Sequence, residues 1–185
     1  MRQLPHPDQY YHIYNRGVAR EKIFFKTAHW SFFLRRMKKY FSPDTADILV
    51  YCLMPNHFHF LIHAKTKDFG NAVMMPLLVS YTRAVNRDID RVGTLFQGQY
   101  QSKLIETTEQ LIHLSRYIHL NPVKANLIQH PENWKYSSYQ DYIGLRNGTL
   151  PNKSLILTEF KNGSDYASYV NSFQDENTIK SLVFD

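Results

Sequence analysis

Between positions 57 and 63 the side chains alternate: His57, His59, Leu61 and His63 fall on one parity, Phe58, Phe60 and Ile62 on the other. Successive side chains of a strand point to opposite faces, so the stretch predicts a strand with one apolar face and one histidine-rich face. A similar reading places a strand at residues 10–16, rich in aromatic and β-branched types and stopped by Gly17. Thr27 can cap a predicted helix through Phe41, with Trp30, Phe33, Leu34, Met37 and Phe41 at helical spacing. Arg35, Arg36, Lys38 and Lys39 occupy its other faces. Ser42-Pro43-Asp44 breaks that helix. Residues 47–53 then form a strand, and Pro55-Asn56 turns it into the histidine strand as an antiparallel hairpin.

A second helix is predicted over 70–87, with Val73, Leu77, Tyr81, Ala84 and Val85 as its buried stripe; Pro76 implies a late start or a kink. Residues 95–106 read as a fourth strand with a bulge at Gly98. Thr107 and Gln110 resemble a capping box, opening a helix whose stripe is Leu111, Leu114 and Ile118 and which Asn121-Pro122 ends. The order strand, helix, strand, strand, helix, strand, helix predicts an α+β, ferredoxin-like fold: four antiparallel strands with two helices on one face. The other sheet face is left for a ligand or the third helix. Residues 131–185, with Trp134, Tyr136, Tyr139 and Tyr142, read as helical turns followed by an acidic extension, so the chain divides into a domain at 1–145 and a C-terminal extension at 146–185.

Composition narrows the setting. A chain of 185 residues with 43% hydrophobic content can bury a real core. Its net charge of +6 favours a polyanionic partner. The charge is uneven: residues 1–103 carry 15 Lys/Arg against 7 Asp/Glu, residues 104–185 carry 7 against 9. A single cysteine, Cys52, permits no intrachain disulfide and points to a reducing cytoplasm. No signal peptide and no apolar run of about 18 residues is present, so no membrane role is expected.

His57 and His59 lie about 6.5–7 Å apart along a strand, close enough to converge on one cation; the plain alternative is two ordinary histidines on a half-exposed strand. On the third helix Tyr117 and Asn121 are about 40° apart, with Tyr117 at the edge of the buried stripe. Alone, Tyr117 reads as a core residue with a wet hydroxyl and Asn121 as a helix stop.

Together, Met-Pro-Asn-His-Phe-His (54–59), Leu-Phe-Gln-Gly-Gln-Tyr (95–100), Ser-Arg-Tyr-Ile-His-Leu-Asn-Pro-Val-Lys-Ala (115–125) and Trp-Lys-Tyr-Ser-Ser-Tyr (134–139) resemble the HUH single-tyrosine transposases, in particular the REP-associated branch. The resemblance spans roughly residues 8–145 and implies the fold above, a divalent cation and cleavage of single-stranded DNA through a covalent tyrosine bond. At the matching positions Tyr117 would be the nucleophile, leaving a 5′-phosphotyrosine and a free 3′-hydroxyl. His57, His59 and Asn121 would hold the metal, and that mixed nitrogen and oxygen set suits Mn²⁺ better than Mg²⁺. Candidates for gripping single-stranded or hairpin DNA are Arg16, Lys22, Arg83, Arg87, Arg91 and Lys103, with Tyr14 and Tyr100 as stacking platforms. Hairpins from repetitive extragenic palindromes are the family's usual target. Monomer and homodimer both fit. Two other readings stand beside this one: a non-catalytic nucleic-acid-binding module on the same fold, and a metal-dependent hydrolase of small phosphoesters, which would not need Tyr117.

Overall fold

In the computed structural model, which describes residues 4–172 and 177–183, the histidine strand is an inner strand of the sheet. The strands are β1 (Gln9–Arg16), β2 (Ala46–Met54), β3 (His57–Ala64) and β4 (Gln101–Ile105). They pair antiparallel in the order β2-β3-β1-β4, the topology the element order predicts. The register sets Arg16 and Met54 on either side of His57, and Tyr14 and Cys52 on either side of His59.

The parity of β3 divides the molecule into two cores. Phe58, Phe60 and Ile62 are fully buried against Phe33 and Met37 of helix α1 (Thr27–Tyr40) and against Leu77 and Tyr81 of helix α2 (Met75–Asp88). Each phenylalanine buried this way contributes about 1.5–3 kcal/mol, so this face anchors the strand and leaves the other parity free to carry chemistry. On that other face Leu61 packs with Leu114 and Ile118 of helix α3 (Thr108–Lys124). A bulge between Ile48 and Val50 turns both Leu49 and Val50 toward this second core.

The chain after α3 completes the second core. Tyr139 and Tyr142 of the short helix α4 (Tyr139–Tyr142), Ile156 of α5 (Ser154–Leu157), Tyr166 and Val170 of α6 (Gly163–Asn171), and finally Ile179 and Leu182 are all buried in it. The expected extension therefore packs on the sheet face that α3 only partly covers; its positions 173–176, 184 and 185 lie outside the described residues.

Several local expectations are corrected. Thr27 is the first helical residue of α1, not its cap. A π-helical turn, Gly70–Met74, precedes α2, and Pro76 falls in the first turn of α2, where its missing N–H costs little. The fourth strand is shorter than predicted, because Gly98 (φ +68°) belongs to a loop over residues 95–100 rather than to a bulge. The capping expectation holds: Thr107 Oγ1 accepts from the Gln110 backbone N–H at 3.1 Å, and Gln110 Oε1 accepts from the Glu106 N–H at 2.9 Å. The helix stop does not hold. α3 runs through Pro122 to Lys124, since proline removes one donor while the Ala125 N–H still reaches the Asn121 carbonyl at 2.9 Å.

Candidate active site

The start of β3 and the last two turns of α3 enclose one cleft of about 680 Å³. It is lined by Arg16, Arg20, Met54, Asn56, His57, His59, Tyr117, Asn121, Lys124 and Ala125, with no carboxylate among them. The His57 and His59 rings stand perpendicular, 5.0 Å between centroids, and the Tyr117 ring meets His59 edge-on at 5.9 Å. Tyr117 is partly buried at the rim of the second core, the edge position its helical phase predicts.

Hydrogen bonds fix both imidazoles. Asn56 in the hairpin turn accepts from His57 Nδ1 through its Oδ1 at 2.7 Å and donates from Nδ2 to the Arg20 carbonyl at 3.1 Å. One two-residue turn thus orients the His57 ring and holds the loop that carries Arg20. That loop is strained, with Ala19 and Arg20 at φ 52° and 61°, a left-handed conformation costing about 1–2 kcal/mol per non-glycine residue. Burial pushes His57 down to about 4, against a hydrogen bond that the charged ring donates to Asn121, with the Arg16 charge lowering it further. Asn121 itself is held to its own helix, its Nδ2 donating to the Tyr117 carbonyl at 2.9 Å. His59 lies well below the ordinary imidazole range through burial, with His12 and His57 adding to the effect. Its Nδ1 is 2.9 Å from His12 Nε2, and His12 Nδ1 is 2.6 Å from the Leu182 carbonyl.

These contacts suit a divalent cation. With the Nδ1 proton of His57 given to Asn56, the ring's lone pair sits on Nε2. The side chain of Asn121 lies where it would accept from a proton added to that ring. An arrangement that stabilises an added proton between two acceptors also suits a metal ion, and both rings are held neutral, as ligation requires. His63, about 13 Å along the strand from His59, is elsewhere: it stacks on Tyr10 at 4.7 Å.

Four residues of the cleft and its support have no site role in the sequence reading. Lys124 places its ammonium 4.5 Å from the centroid of the Tyr117 ring. It is seven residues beyond Tyr117, about 20° away on a helical wheel, and is missed only because the helix was expected to stop at Asn121. Arg20, Asn56 and His12 are the others; His12 shares the parity of Tyr14 and Arg16 on β1, which is a signal once β1 is known to pair with β3.

The DNA-binding candidates scatter. Arg16 lines the cleft, its Nε donating to Gln97 at 2.6 Å. Lys22 is exposed outside it, and Lys103 lies on β4 opposite His12. Arg83 and Arg87 join Arg36 and Phe32 around a separate pocket between α1 and α2, on the sheet face opposite Tyr117. Three candidates are tied into the fold. Arg91 is committed to its own loop, bonding Asn86, Gly93 and the Thr94 carbonyl. Tyr100 is buried in the first core against Phe69, because residues 95–100 form a loop folded onto α2 rather than a strand. Tyr14 is buried beside His12, 4.8 Å between rings, so it packs behind the site and offers no stacking face.

Residues 6–121 match the family model described as transposase, IS200-like. A candidate REP-associated tyrosine transposase of Haemophilus influenzae is 26% identical over 103 residues, covering 50% of this chain; the match spans 58% of that relative's length. A solved structure of a REP-associated tyrosine transposase bound to a REP hairpin superposes with a TM-score of 0.62 over 78% of this chain and 84% of the other. At 14% identity that likeness is one of fold. Among the described residues no helix is long and apolar enough to cross a membrane.

Proposed function

The chain belongs to the IS200-like transposase family, and from that premise we propose that it cleaves and rejoins single-stranded DNA beside a hairpin through a covalent bond to Tyr117. The observation that carries this reading is the convergence of Tyr117, His57, His59 and Asn121 on one cleft rimmed by Arg16, Arg20 and Lys124. In this reading His57, His59 and Asn121 hold Mn²⁺ or Mg²⁺, which when bound supplies positive charge to a non-bridging phosphate oxygen. Arg16 and Arg20 neutralise the flanking phosphates at the mouth of the cleft. Tyr117 loses its phenolic proton and its Oη attacks phosphorus in line with the departing 3′-oxygen. One P–O bond forms to Tyr117, the P–O3′ bond breaks, and the 3′-oxygen leaves as a hydroxyl after taking up a proton. One phosphodiester is exchanged for another, so the 3′-hydroxyl of the same or another strand can reverse the step. The Lys124 ammonium beside the ring favours the charged phenolate over the phenol. The hairpin as partner is carried over from the structural neighbour, whose own hairpin is bound.

The test uses end-labelled hairpin oligonucleotides with single-stranded flanks, Mn²⁺ and a denaturing gel. The wild-type chain is expected to give a protein–DNA adduct and a free 3′-end, while Tyr117→Phe binds the hairpin and gives neither. A nick made by Tyr117→Phe would overturn the covalent route in favour of metal-assisted hydrolysis. Hairpin binding with no nick by the wild-type chain would favour a binding module.

A further inference from the structure

The C-terminal segment reaches the back of the cleft through His12. This histidine is fully buried on β1, between the Leu182 backbone carbonyl at 2.6 Å from Nδ1 and His59 Nδ1 at 2.9 Å from Nε2. The two rings are nearly parallel, 20° between planes. A carbonyl oxygen can only accept, so His12 carries a proton on Nδ1. His12 is fully buried with the Leu182 carbonyl and the His59 ring as its hydrogen-bond partners and no carboxylate between them, so nothing offsets the cost of a second proton and the one on Nδ1 is its only one. His12 Nε2 is therefore an acceptor, and His59 Nδ1 must donate to it. His59, buried as well, carries its single proton on Nδ1 and keeps its lone pair on Nε2.

We propose that His12, held by the Leu182 carbonyl, is a positioning residue that fixes His59 as the Nδ1–H tautomer, the form whose Nε2 can ligate a cation. The inference rests on the metal-site reading above and assigns a role to the last described turn of the chain, which the family match does not reach. Without the carbonyl, His12 can adopt the opposite tautomer and donate to His59 Nδ1. The His59 proton then sits on Nε2, where it blocks the metal. Ile179 and Leu182, both buried in the second core, keep the carbonyl in place, so core packing and ligand chemistry are coupled through one peptide group. Partners of this kind behind a ligating imidazole typically change metal affinity about 10–100-fold.

The first test needs no variant. Long-range proton–nitrogen correlation NMR on the metal-free, full-length chain with ¹⁵N-labelled histidine reads the tautomer of each ring. His12 and His59 are both expected to be protonated on Nδ1; a His59 protonated on Nε2 overturns the proposal. The second is calorimetric titration with Mn²⁺ alone. His12→Phe is expected to bind about 10–100-fold more weakly, and His12→Gln, whose amide oxygen can accept from His59, to recover part of the loss. Leu182→Asp, which drives the segment off the core, should weaken binding as His12→Phe does. Affinities of His12→Phe equal to wild type overturn the proposal even with the expected tautomers. A wild-type chain that binds no Mn²⁺ overturns the metal-site reading instead, and the NMR result still decides the tautomer chain.

Discussion

Replacing Lys124 by methionine keeps most of the side-chain volume and removes one charge 4.5 Å from the Tyr117 ring centroid. Two unit charges at that separation interact by about 0.9 kcal/mol in bulk water and about 4 kcal/mol at an effective dielectric constant near 20. Lys124 is exposed, so the water-like end of that range applies and the transition state should lose about 1–2 kcal/mol. That corresponds to single-turnover cleavage about 5–30-fold slower. The assay is adduct formation on a labelled hairpin at saturating Mn²⁺ and saturating protein, which separates chemistry from affinity. Hairpin affinity, measured in a Tyr117→Phe background, should change less than cleavage does, because one exposed phosphate contact is all that Lys124 could add. Lys124→Arg should retain most of the rate. A Lys124→Met enzyme that cleaves at the wild-type rate once DNA is saturating would refute a role at the tyrosine and leave Lys124 as an ordinary surface charge.

Asn121→Ala should slow cleavage and lower Mn²⁺ affinity together, with added Mn²⁺ restoring part of the rate; unchanged metal titration would remove Asn121 from the ligand set. Arg83→Ala and Arg87→Ala lie across the sheet from Tyr117, so each should weaken hairpin binding at low salt and reduce the salt slope by about 1, without moving the cut; a shifted cut would assign them to positioning. His119 is fully buried between the Tyr166 hydroxyl at 2.7 Å and Ser138 Oγ at 2.8 Å, and burial, then the Arg146 charge, pushes it down to about 3. Its folded value lies below its unfolded one, so full stability is present above about pH 6.5 and is lost as pH falls toward 3, by about 1.4 kcal/mol per unit. Urea unfolding at pH 7 and pH 5 should differ by about 2 kcal/mol from this group; a His119→Gln variant with an undiminished difference would show the acid sensitivity to arise elsewhere.

The parts of the fold that were legible in the sequence are those with an uninterrupted period. The alternation of residues 57–63 gave both faces of β3 correctly, and the cap at Thr107 set the phase that brings Tyr117 to the edge of the second core. The second core was not legible. Its aromatic residues Tyr139, Tyr142 and Tyr166 sit on helices of four or nine residues separated by turns, too short to display a helical stripe. Pro122 misled for a different reason: local proline rules describe an isolated helix, whereas here burial of Asn121 and Pro122 holds the last turn in place. The placing of His57 and His59 on one face was readable from spacing alone. The support behind them was not, because His12 and Leu182 are 170 positions apart and only the packing of the C-terminal segment on the second core brings them within reach.

The turn at Pro55-Asn56 also bears on which insertions this fold can survive. Because β3 has a period of two, slipping it by one residue against β2 would send His57 and His59 into the core under α1 and α2. Phe58 and Phe60 would then be left lining the cleft. A single inserted residue that shifts this register would take both imidazoles out of the cleft and both phenylalanines out of the core in one event. Two inserted residues would preserve the parity while displacing Asn56 from His57. Among descendants of this sequence, length changes in the hairpin should therefore occur in even steps, each accompanied by a new side chain that holds the His57 ring in the place of Asn56.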